Sequence, residues 1–260
     1  MIKAAFFDVD GTLVSFKTHK ISELSKKAIL TLKQQNIKIF VATGRALYQI
    51  DNLDNIEFDG YITFNGSACY INNKEIYKIT LNKNDIKNLC SYLKNNNLPC
   101  SIMTGKDIYT NTHKTIEMFY NMVNVNVNVV DNFLEYVQSN IDDIFQINIF
   151  SDKETEKEIM NNVLINSSSS RWHPIFFDVN IKNIGKHVGI DKVIEHYGIK
   201  LEETIAFGDG GNDISMIKHA HIGVAMGNAD TRVKEIANYI TDDVDNDGVY
   251  KALKHYGLIS

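Results

Sequence analysis

The sequence predicts an α/β protein whose parallel-sheet core is interrupted by an inserted α+β unit. Three features lead to this prediction. Short apolar runs that stop at acidic or glycine-containing turns occur near both ends of the chain, helical patterns separate them, and hairpin-type turn signals lie in the middle. Continuous apolar strands of this kind are typical of a parallel sheet that helices cover on both faces.

The first strand, helix and second strand are predicted within the first 42 residues. The apolar run 2–7 predicts a strand buried on both faces. Ser22 is a typical N-cap, and apolar residues recur after it at helical spacing. The run 37–42 predicts the next strand. Because a parallel crossover connection is right-handed, we expect both strands to end at one edge of the sheet.

The last third of the chain repeats this order of elements. A helical pattern covers 186–197, and a short apolar strand over 204–207 ends at Gly208-Asp209. The remaining core elements are expected to alternate in the same way: a helix over 214–220, a strand over 222–226, and helices over 231–237 and 248–255. The sequence therefore predicts a core domain made of 1–82 and 184–260.

The middle of the chain, 83–183, is predicted to be a separate α+β domain. Helical patterns and strand patterns are mixed there without the regular alternation of the core: helices over 85–93, 112–122 and 153–163, and strands over 144–150 and 175–181. The Asn-Val alternation over 124–129 favours an edge strand or a loop. The serine run 167–170 favours a flexible loop.

Composition limits the class of partner. The 260 residues include 27 Lys and Arg and 32 Asp and Glu, giving a net charge of −5, whereas binding to a nucleic-acid backbone normally needs surplus basic residues. The chain has three cysteines without CxxC spacing, no signal-peptide pattern, and no apolar run approaching the ~20 residues of a membrane span. We therefore predict a cytoplasmic protein that binds neither nucleic acid nor membranes. A small phosphorylated ligand is compatible with this net charge.

The most informative motif is Asp8-Val9-Asp10-Gly11-Thr12, directly after the first predicted strand. Ligands of α/β sheets bind at the carboxyl ends of the strands. The carboxylates of Asp8 and Asp10 can converge on one hard cation if the chain turns after the strand, and Gly11 permits that turn. Free amides in such a turn can hold phosphate oxygens. An acidic turn without a ligand is the alternative interpretation.

Three weaker motifs follow in order. Thr43-Gly44-Arg45 offers a hydroxyl and a flexible amide to a phosphate oxygen, although it could equally be a helix cap. Lys186 opens a predicted helix and could neutralise charge between a phosphate and the first carboxylate, although a lone lysine is usually solvated. The run 208–213, Gly-Asp-Gly-Gly-Asn-Asp, again places acidic residues at the end of a strand, where Asp209 could complete a metal site.

With four motifs in this order, the sequence resembles the haloacid dehalogenase superfamily. More narrowly, it is similar to the Cof-type sugar phosphatases, especially the bacterial hexose-phosphate phosphatases. The resemblance covers the whole chain, including the run 223–229, Gly-Val-Ala-Met-Gly-Asn-Ala, and Asn65-Gly66-Ser67, which is locally only a turn. It implies a Rossmann-like parallel-sheet core with an inserted α+β cap domain. It also implies Mg²⁺-dependent hydrolysis of a small phosphorylated metabolite, expected to be a hexose or other sugar phosphate, through an aspartyl-phosphate.

The resemblance also implies roles for individual residues. Asp8 would be the nucleophile and a Mg²⁺ ligand, Asp10 the general acid and base and a ligand through its carbonyl, and Asp209 the third ligand. Asp213 would orient Lys186 or metal-bound water without itself binding the metal. The residues expected to bind the phosphate are Val9, Asp10, Thr43, Gly44, Lys186 and Asn212. Position alone, apart from the resemblance, suggests two candidates for binding the rest of the substrate: Arg45 could reach an anionic group, and Arg171 lies beside the serine run, where packing or surface exposure is the alternative.

Other activities of the superfamily remain alternatives. A dehalogenase is disfavoured, because metal-independent relatives lack the second acidic residue and Asp10 is present. A phosphosugar mutase or phosphotransferase stays open, since an aspartyl-phosphate can pass its phosphoryl group to a sugar instead of water. A non-catalytic phosphometabolite-binding protein also stays open.

Overall fold

The computed structural model describes residues 1–51, 53–121 and 125–260. They form two compact units: Met1–Lys78 together with Ile184–Ser260, here called the core unit, and Ile79–Asn183, the inserted unit. The compact units divide at 78/79, whereas the predicted domains divide at 82/83. Leu81 accounts for the difference, because it packs in the apolar cluster of the inserted unit and its N–H donates to the carbonyl of Ile144 at 2.9 Å.

The strands of the two units are numbered in chain order. Their bounds are β1 Ala4–Phe7, β2 Lys38–Ala42, β3 Gly60–Thr63, β4 Ala68–Ile71, β5 Lys74–Lys78, β6 Cys100–Thr104, β7 Ile108–Thr110, β8 Asn128–Val129, β9 Ile144–Ile149, β10 Ser167–His173, β11 Phe176–Ile181, β12 Thr204–Gly208, β13 Ile222–Ala225 and β14 Tyr239–Ile240.

The helices are numbered in the same way. Their bounds are α1 Glu23–Gln34, α2 Lys83–Asn95, α3 His113–Thr115, α4 Phe133–Ser139, α5 Lys153–Asn162, α6 Lys186–Tyr197, α7 Ile214–His219, α8 Thr231–Ile236 and α9 Gly248–His255. A π-helix, Ile116–Tyr120, directly follows α3, and single 3₁₀ turns connect several of the other elements. Among the described helices, none combines the length and the apolar character that crossing a membrane requires.

The core unit contains an eight-stranded sheet in the order β14-β13-β12-β1-β2-β3-β4-β5. All neighbours from β14 to β3 are parallel, and β3, β4 and β5 form an antiparallel edge. Every residue of β1 is buried, as expected for a strand covered on both faces. At the start of α1, the hydroxyl of Ser22 accepts the N–H of Ser25 at 3.2 Å and so confirms the predicted N-cap.

The inserted unit has its own sheet, in the order β10-β11-β9-β6-β7-β8. Neighbouring strands are antiparallel except for the β7–β8 pair. One face of the sheet presents Ile102, Ile147 and Phe177 to an apolar cluster that also contains residues of α2, α4 and α5. The predicted combination of a parallel-sheet α/β core and an inserted α+β unit is therefore confirmed.

Several expectations for the middle of the chain need correction. The prediction of a flexible loop over 167–170 is wrong, because these serines begin β10 and pair in register with β11, Ser167 opposite Ile181. Backbone hydrogen bonds to the neighbouring strand outweigh the low strand propensity of serine.

The expected helix over 112–122 consists of α3 and the π-helix, and Met122 lies outside the described residues. Asn124 also lies outside them, and 128–129 forms the short strand β8.

Candidate active site

The sheet of the core unit brings three sequence motifs together. The strands β12, β1 and β2 are adjacent and parallel, with Phe7 paired to Phe207 on one side and Val41 on the other. Asp8, Thr43 and Asp209 directly follow these three strands. The residues are far apart in sequence, but parallel strands in register end at the same edge of the sheet.

A tight turn after β1 presses the first motif against Asp209. Gly11 has a φ of +84°, and a Cβ atom built there would lie 2.4 Å from Asp209 Oδ2. Only glycine fits this position without displacing the carboxylate. The next residue, Thr12, donates its hydroxyl to Asp209 Oδ1 at 2.9 Å. The turn therefore both approaches and orients the Asp209 carboxylate.

Lys186, the first residue of α6, is fully buried between two carboxylates. Its Nζ donates to Asp8 Oδ1 and to Asp213 Oδ1, each at 2.5 Å. Burial alone would lower the pKa of Lys186, but the charges of Asp213 and Asp8 and their hydrogen bonds raise it to about 12. The ammonium is therefore charged at any physiological pH.

Asp8, Asp209 and Asp213 form an acidic group whose carboxylate oxygens lie within 4.8 Å of one another. Burial first, and then the charge of Asp213, raise the pKa of Asp8 well above its usual range, although Lys186 opposes the shift. Burial and Asp213 likewise raise the pKa of Asp209 to about 6, against the hydrogen bond from Thr12. Three carboxylates share one ammonium, so the group lacks positive charge.

The donor set fits a hard divalent cation. It contains only oxygen ligands, which suit Mg²⁺ better than softer transition metals. The two oxygens of Asp213 are already engaged, since Oδ1 accepts from Lys186 and Oδ2 accepts the backbone N–H groups of Asp209 and Gly210 at 2.9 and 2.8 Å. Asp8 and Asp209 are therefore the better ligands, and Asp213 is placed to support them.

The Asp10 carboxylate lies outside this acidic group. It accepts two hydrogen bonds from Arg45, at 2.9 Å from Nε and 2.6 Å from Nη2. The expectation that the carboxylates of Asp8 and Asp10 converge is not met, because the Asp10 carboxylate binds the planar guanidinium of Arg45 through both of its oxygens instead. The sequence analysis assigned Asp10 to the metal through its backbone carbonyl, and this contact leaves that assignment as a prediction.

Several backbone amides near Asp8 are available to an anion. Among the described residues, the N–H groups of Val9, Asp10 and Gly44 donate to no acceptor. The buried hydroxyl oxygen of Thr43 accepts the N–H of Arg45 at 3.1 Å, which leaves the hydroxyl hydrogen free to donate elsewhere. These groups belong to the predicted phosphate-binding set, and they follow two adjacent strands, β1 and β2.

Two asparagines that the sequence analysis mentioned without a role also lie at the site. Asn65 Oδ1 accepts a hydrogen bond from Nδ2 of Asn212 at 3.0 Å. Asn228 donates to the carbonyl of Gly11 at 2.8 Å and faces Asp209 Oδ2 at 3.4 Å. Each asparagine stands next to a glycine, and from the sequence alone such a pair indicates only a turn.

Arg171 contacts residues of its own unit. Its Nε donates to Glu156 Oε2 at 2.6 Å, and its other nitrogens donate to the carbonyls of Pro174 and Asp152 at 2.9 and 3.1 Å. The guanidinium is thus held within the inserted unit by the start of α5 and by the turn that follows β10. A role for Arg171 in binding substrate stays a prediction.

Comparisons with known proteins establish the family of the chain. The family model described as haloacid dehalogenase-like hydrolase matches residues 5–253. The solved structure of BT4131, titled a haloacid dehalogenase subclass IIB sugar phosphatase, is 40% identical with a TM-score of 0.85 and covers 99% of this chain and 100% of its own. The structure of BT1666 from Bacteroides thetaiotaomicron, titled a phosphatase of this superfamily, is 37% identical with a TM-score of 0.89, covering 100% and 96%.

A curated relative acts on a different kind of phosphate ester. The Bacillus subtilis protein YcsE, named 5-amino-6-(5-phospho-D-ribitylamino)uracil phosphatase, is 31% identical over 261 residues, which cover 99% of this chain and 96% of YcsE. The chain belongs to the haloacid dehalogenase-like hydrolase family. Within that family it is a Cof-type phosphatase, as the sequence resemblance implied.

The buried position of Lys186 makes a prediction about stability. Lys186→Met leaves Asp8 and Asp213 without their buried cation, and breaking such a pair typically costs about 3–5 kcal/mol. The matched control, Lys192→Met, removes a lysine of the same helix whose side chain is 40% exposed and pairs with Glu195 at 3.2 Å. We expect a change below about 0.5 kcal/mol. Urea unfolding measures both free energies. Equal losses in the two variants would contradict the structural role of Lys186.

Proposed function

We propose that this protein is a Mg²⁺-dependent phosphomonoester hydrolase that acts on small phosphorylated metabolites, most specifically sugar phosphates. The observation that carries the proposal is the buried ammonium of Lys186 between Asp8 and Asp213, beside the carboxylate of Asp209. This arrangement supplies a fixed carboxylate, a fixed positive charge and a set of oxygen ligands at one sheet edge. Phosphoryl transfer depends mainly on positioning and on positive charge of this kind.

Asp8 is the proposed nucleophile. One of its oxygens is fixed by Lys186, and among the described residues the other accepts no hydrogen bond. The free oxygen attacks phosphorus, and the bond to the leaving alkoxide breaks, which gives an aspartyl-phosphate and splits hydrolysis into two easier steps. Lys186 holds the carboxylate in place through both steps and balances part of the negative charge of the phosphoryl group.

Asp10 is the proposed general acid and base. Its side chain is 39% exposed, so it can reach a leaving oxygen, and Arg45 fixes its orientation. Asp10 gives a proton to the leaving alkoxide in the first step. In the second step it takes a proton from the water that attacks phosphorus and releases inorganic phosphate from Asp8.

The cation would be held by Asp8, Asp209 and the backbone carbonyl of Asp10. When bound, Mg²⁺ supplies positive charge that neutralises these carboxylates and the phosphoryl oxygens. The amides of Val9, Asp10 and Gly44 and the hydroxyl of Thr43 would donate to the oxygens of the phosphoryl group. Four donors from two loops can surround an anion without a cluster of basic side chains.

The substrate proposal rests on the relatives. BT4131 is titled a sugar phosphatase, and YcsE is named for a phosphoribityl substrate. Both descriptions concern small phosphorylated molecules that carry hydroxyl groups.

We also propose a cytoplasmic location, because Cys69, Cys90 and Cys100 are buried and unpaired, as is usual in a reducing compartment.

A phosphate-release assay tests the metal requirement. One ammonium leaves the negative charge of Asp8, Asp209 and Asp213 unbalanced. This charge should block approach of a phosphate dianion, so chelation with EDTA is expected to abolish turnover and added Mg²⁺ to restore it. Calorimetric titration of Mg²⁺ into the protein, with Asp209→Asn as the weakened site, measures binding without turnover. Full activity in thoroughly metal-free protein would rule out the proposed metal site.

A substrate panel tests the reaction and its substrate class. We expect release of inorganic phosphate from several sugar phosphates, with modest differences in kcat/KM, because the proposed donors contact the phosphate that all of them share. Nucleotides and phosphopeptides serve as comparison substrates. A strong preference for either would contradict the substrate class, and formation of an isomeric sugar phosphate without free phosphate would indicate a mutase.

A further inference from the structure

A strained turn after β3 lies beside the phosphate-binding residues. Phe64, Asn65 and Gly66 have φ angles of +48°, +54° and +98°, so three successive residues are in the left-handed region. Glycine adopts this conformation readily and asparagine tolerates it, but a bulky phenylalanine does not. Strain of this kind persists only where surrounding contacts enforce it, and it is concentrated at functional sites.

The turn is paired with the Thr43–Arg45 loop through its backbone. The N–H of Asn65 donates to the carbonyl of Thr43 at 3.0 Å, and the N–H of Phe64 donates to the carbonyl of Arg45 at 3.1 Å. The Asn65 side chain lies directly against Gly44, since a Cβ atom built on Gly44 would be 3.1 Å from Asn65 Oδ1. The turn therefore fixes the loop that offers the Gly44 amide.

The same turn touches the segment that carries Lys186. A Cβ atom built on Gly66 would lie 2.2 Å from the carbonyl oxygen of Gly185 and 3.3 Å from Cα of Lys186. No side chain larger than hydrogen fits between these backbones. The position of the turn is thus set by the start of α6 on one side and by the Thr43–Arg45 loop on the other.

The Asn65 side chain completes the connection to the fourth motif. Its Oδ1 accepts one hydrogen of the Asn212 amide at 3.0 Å. An amide nitrogen carries two hydrogens, so Asn212 keeps one for a second acceptor. Asn212 is exposed to solvent and would sample several rotamers without this contact, because a free surface side chain is mobile.

We propose that Asn65 is a positioning residue of the phosphate site, which orients the Asn212 amide and fixes the Gly44 loop. The inference rests on the proposed function, since it assumes that Asn212 and Gly44 bind the substrate phosphate. Asn65 acts through these residues and does not itself take part in bond making or breaking. The left-handed turn is maintained because it delivers this side chain between two motifs.

The variant Asn65→Gly tests the role of the side chain. Glycine keeps the left-handed conformation and removes only the amide. Without Asn65, the Asn212 amide should lose its hydrogen bond to the charged phosphate. We therefore expect the inhibition constant of inorganic phosphate and the KM of a sugar phosphate to rise about tenfold, while kcat changes less than about threefold. Asn72→Gly is the matched control, because Asn72 is also left-handed, with a φ of +49°, in the β4–β5 turn, and it should leave every constant unchanged.

A double-mutant cycle with Asn212→Ala separates positioning from a general structural effect. If Asn65 acts through Asn212, the two substitutions together should weaken phosphate inhibition little more than Asn212→Ala alone. Fully additive effects, or a lowered melting temperature of Asn65→Gly with unchanged phosphate inhibition, would overturn the inference. Absence of phosphatase activity in the parent protein would overturn the proposed function instead, so the two failures are distinguishable.

Discussion

The ion pairs of Lys186 with Asp8 and Asp213 are the constraint on which the rest of the site depends. The three groups lie out of water, and the ammonium of Lys186 is stabilised by both carboxylates. They come from the end of β1, the start of α6 and the turn after β12. Any shift among these elements separates buried charges, so the requirement for compensation holds distant parts of the chain at one edge of the sheet.

The chemistry of the site follows from the charge that these ion pairs leave unbalanced. One ammonium serves three carboxylates, and burial together with the charge of Asp213 raises the pKa values of Asp8 and Asp209. A bound divalent cation would supply the missing charge and would favour the ionised forms. Asp10 pairs with Arg45 instead of Lys186. In the proposed mechanism these different partners let Asp8 serve as nucleophile and Asp10 exchange protons.

The sequence predicts those parts of the structure that local patterns determine. Local patterns are sufficient to predict the core and to select most candidate residues. These patterns are the apolar run before Asp8, the glycine after it and the order of the four motifs. Contacts across long stretches of chain are different. Asn65 and Asn212 are separated by 147 positions, and no spacing or propensity indicates their pairing. The strand β10 likewise forms because β11 lies beside it, against the preference of its serines.

The central claim is that Asp8 carries the phosphoryl group, and trapping the phosphoenzyme tests it most directly. Acid quenching during a single turnover with substrate labelled in the phosphate, followed by peptide mapping, should locate the label on Asp8. An acyl phosphate is expected to lose its label in hydroxylamine, and Asp8→Asn should remain folded and unlabelled. Stable label on a serine, threonine or histidine, or turnover by Asp8→Asn at the parent rate, would contradict the account.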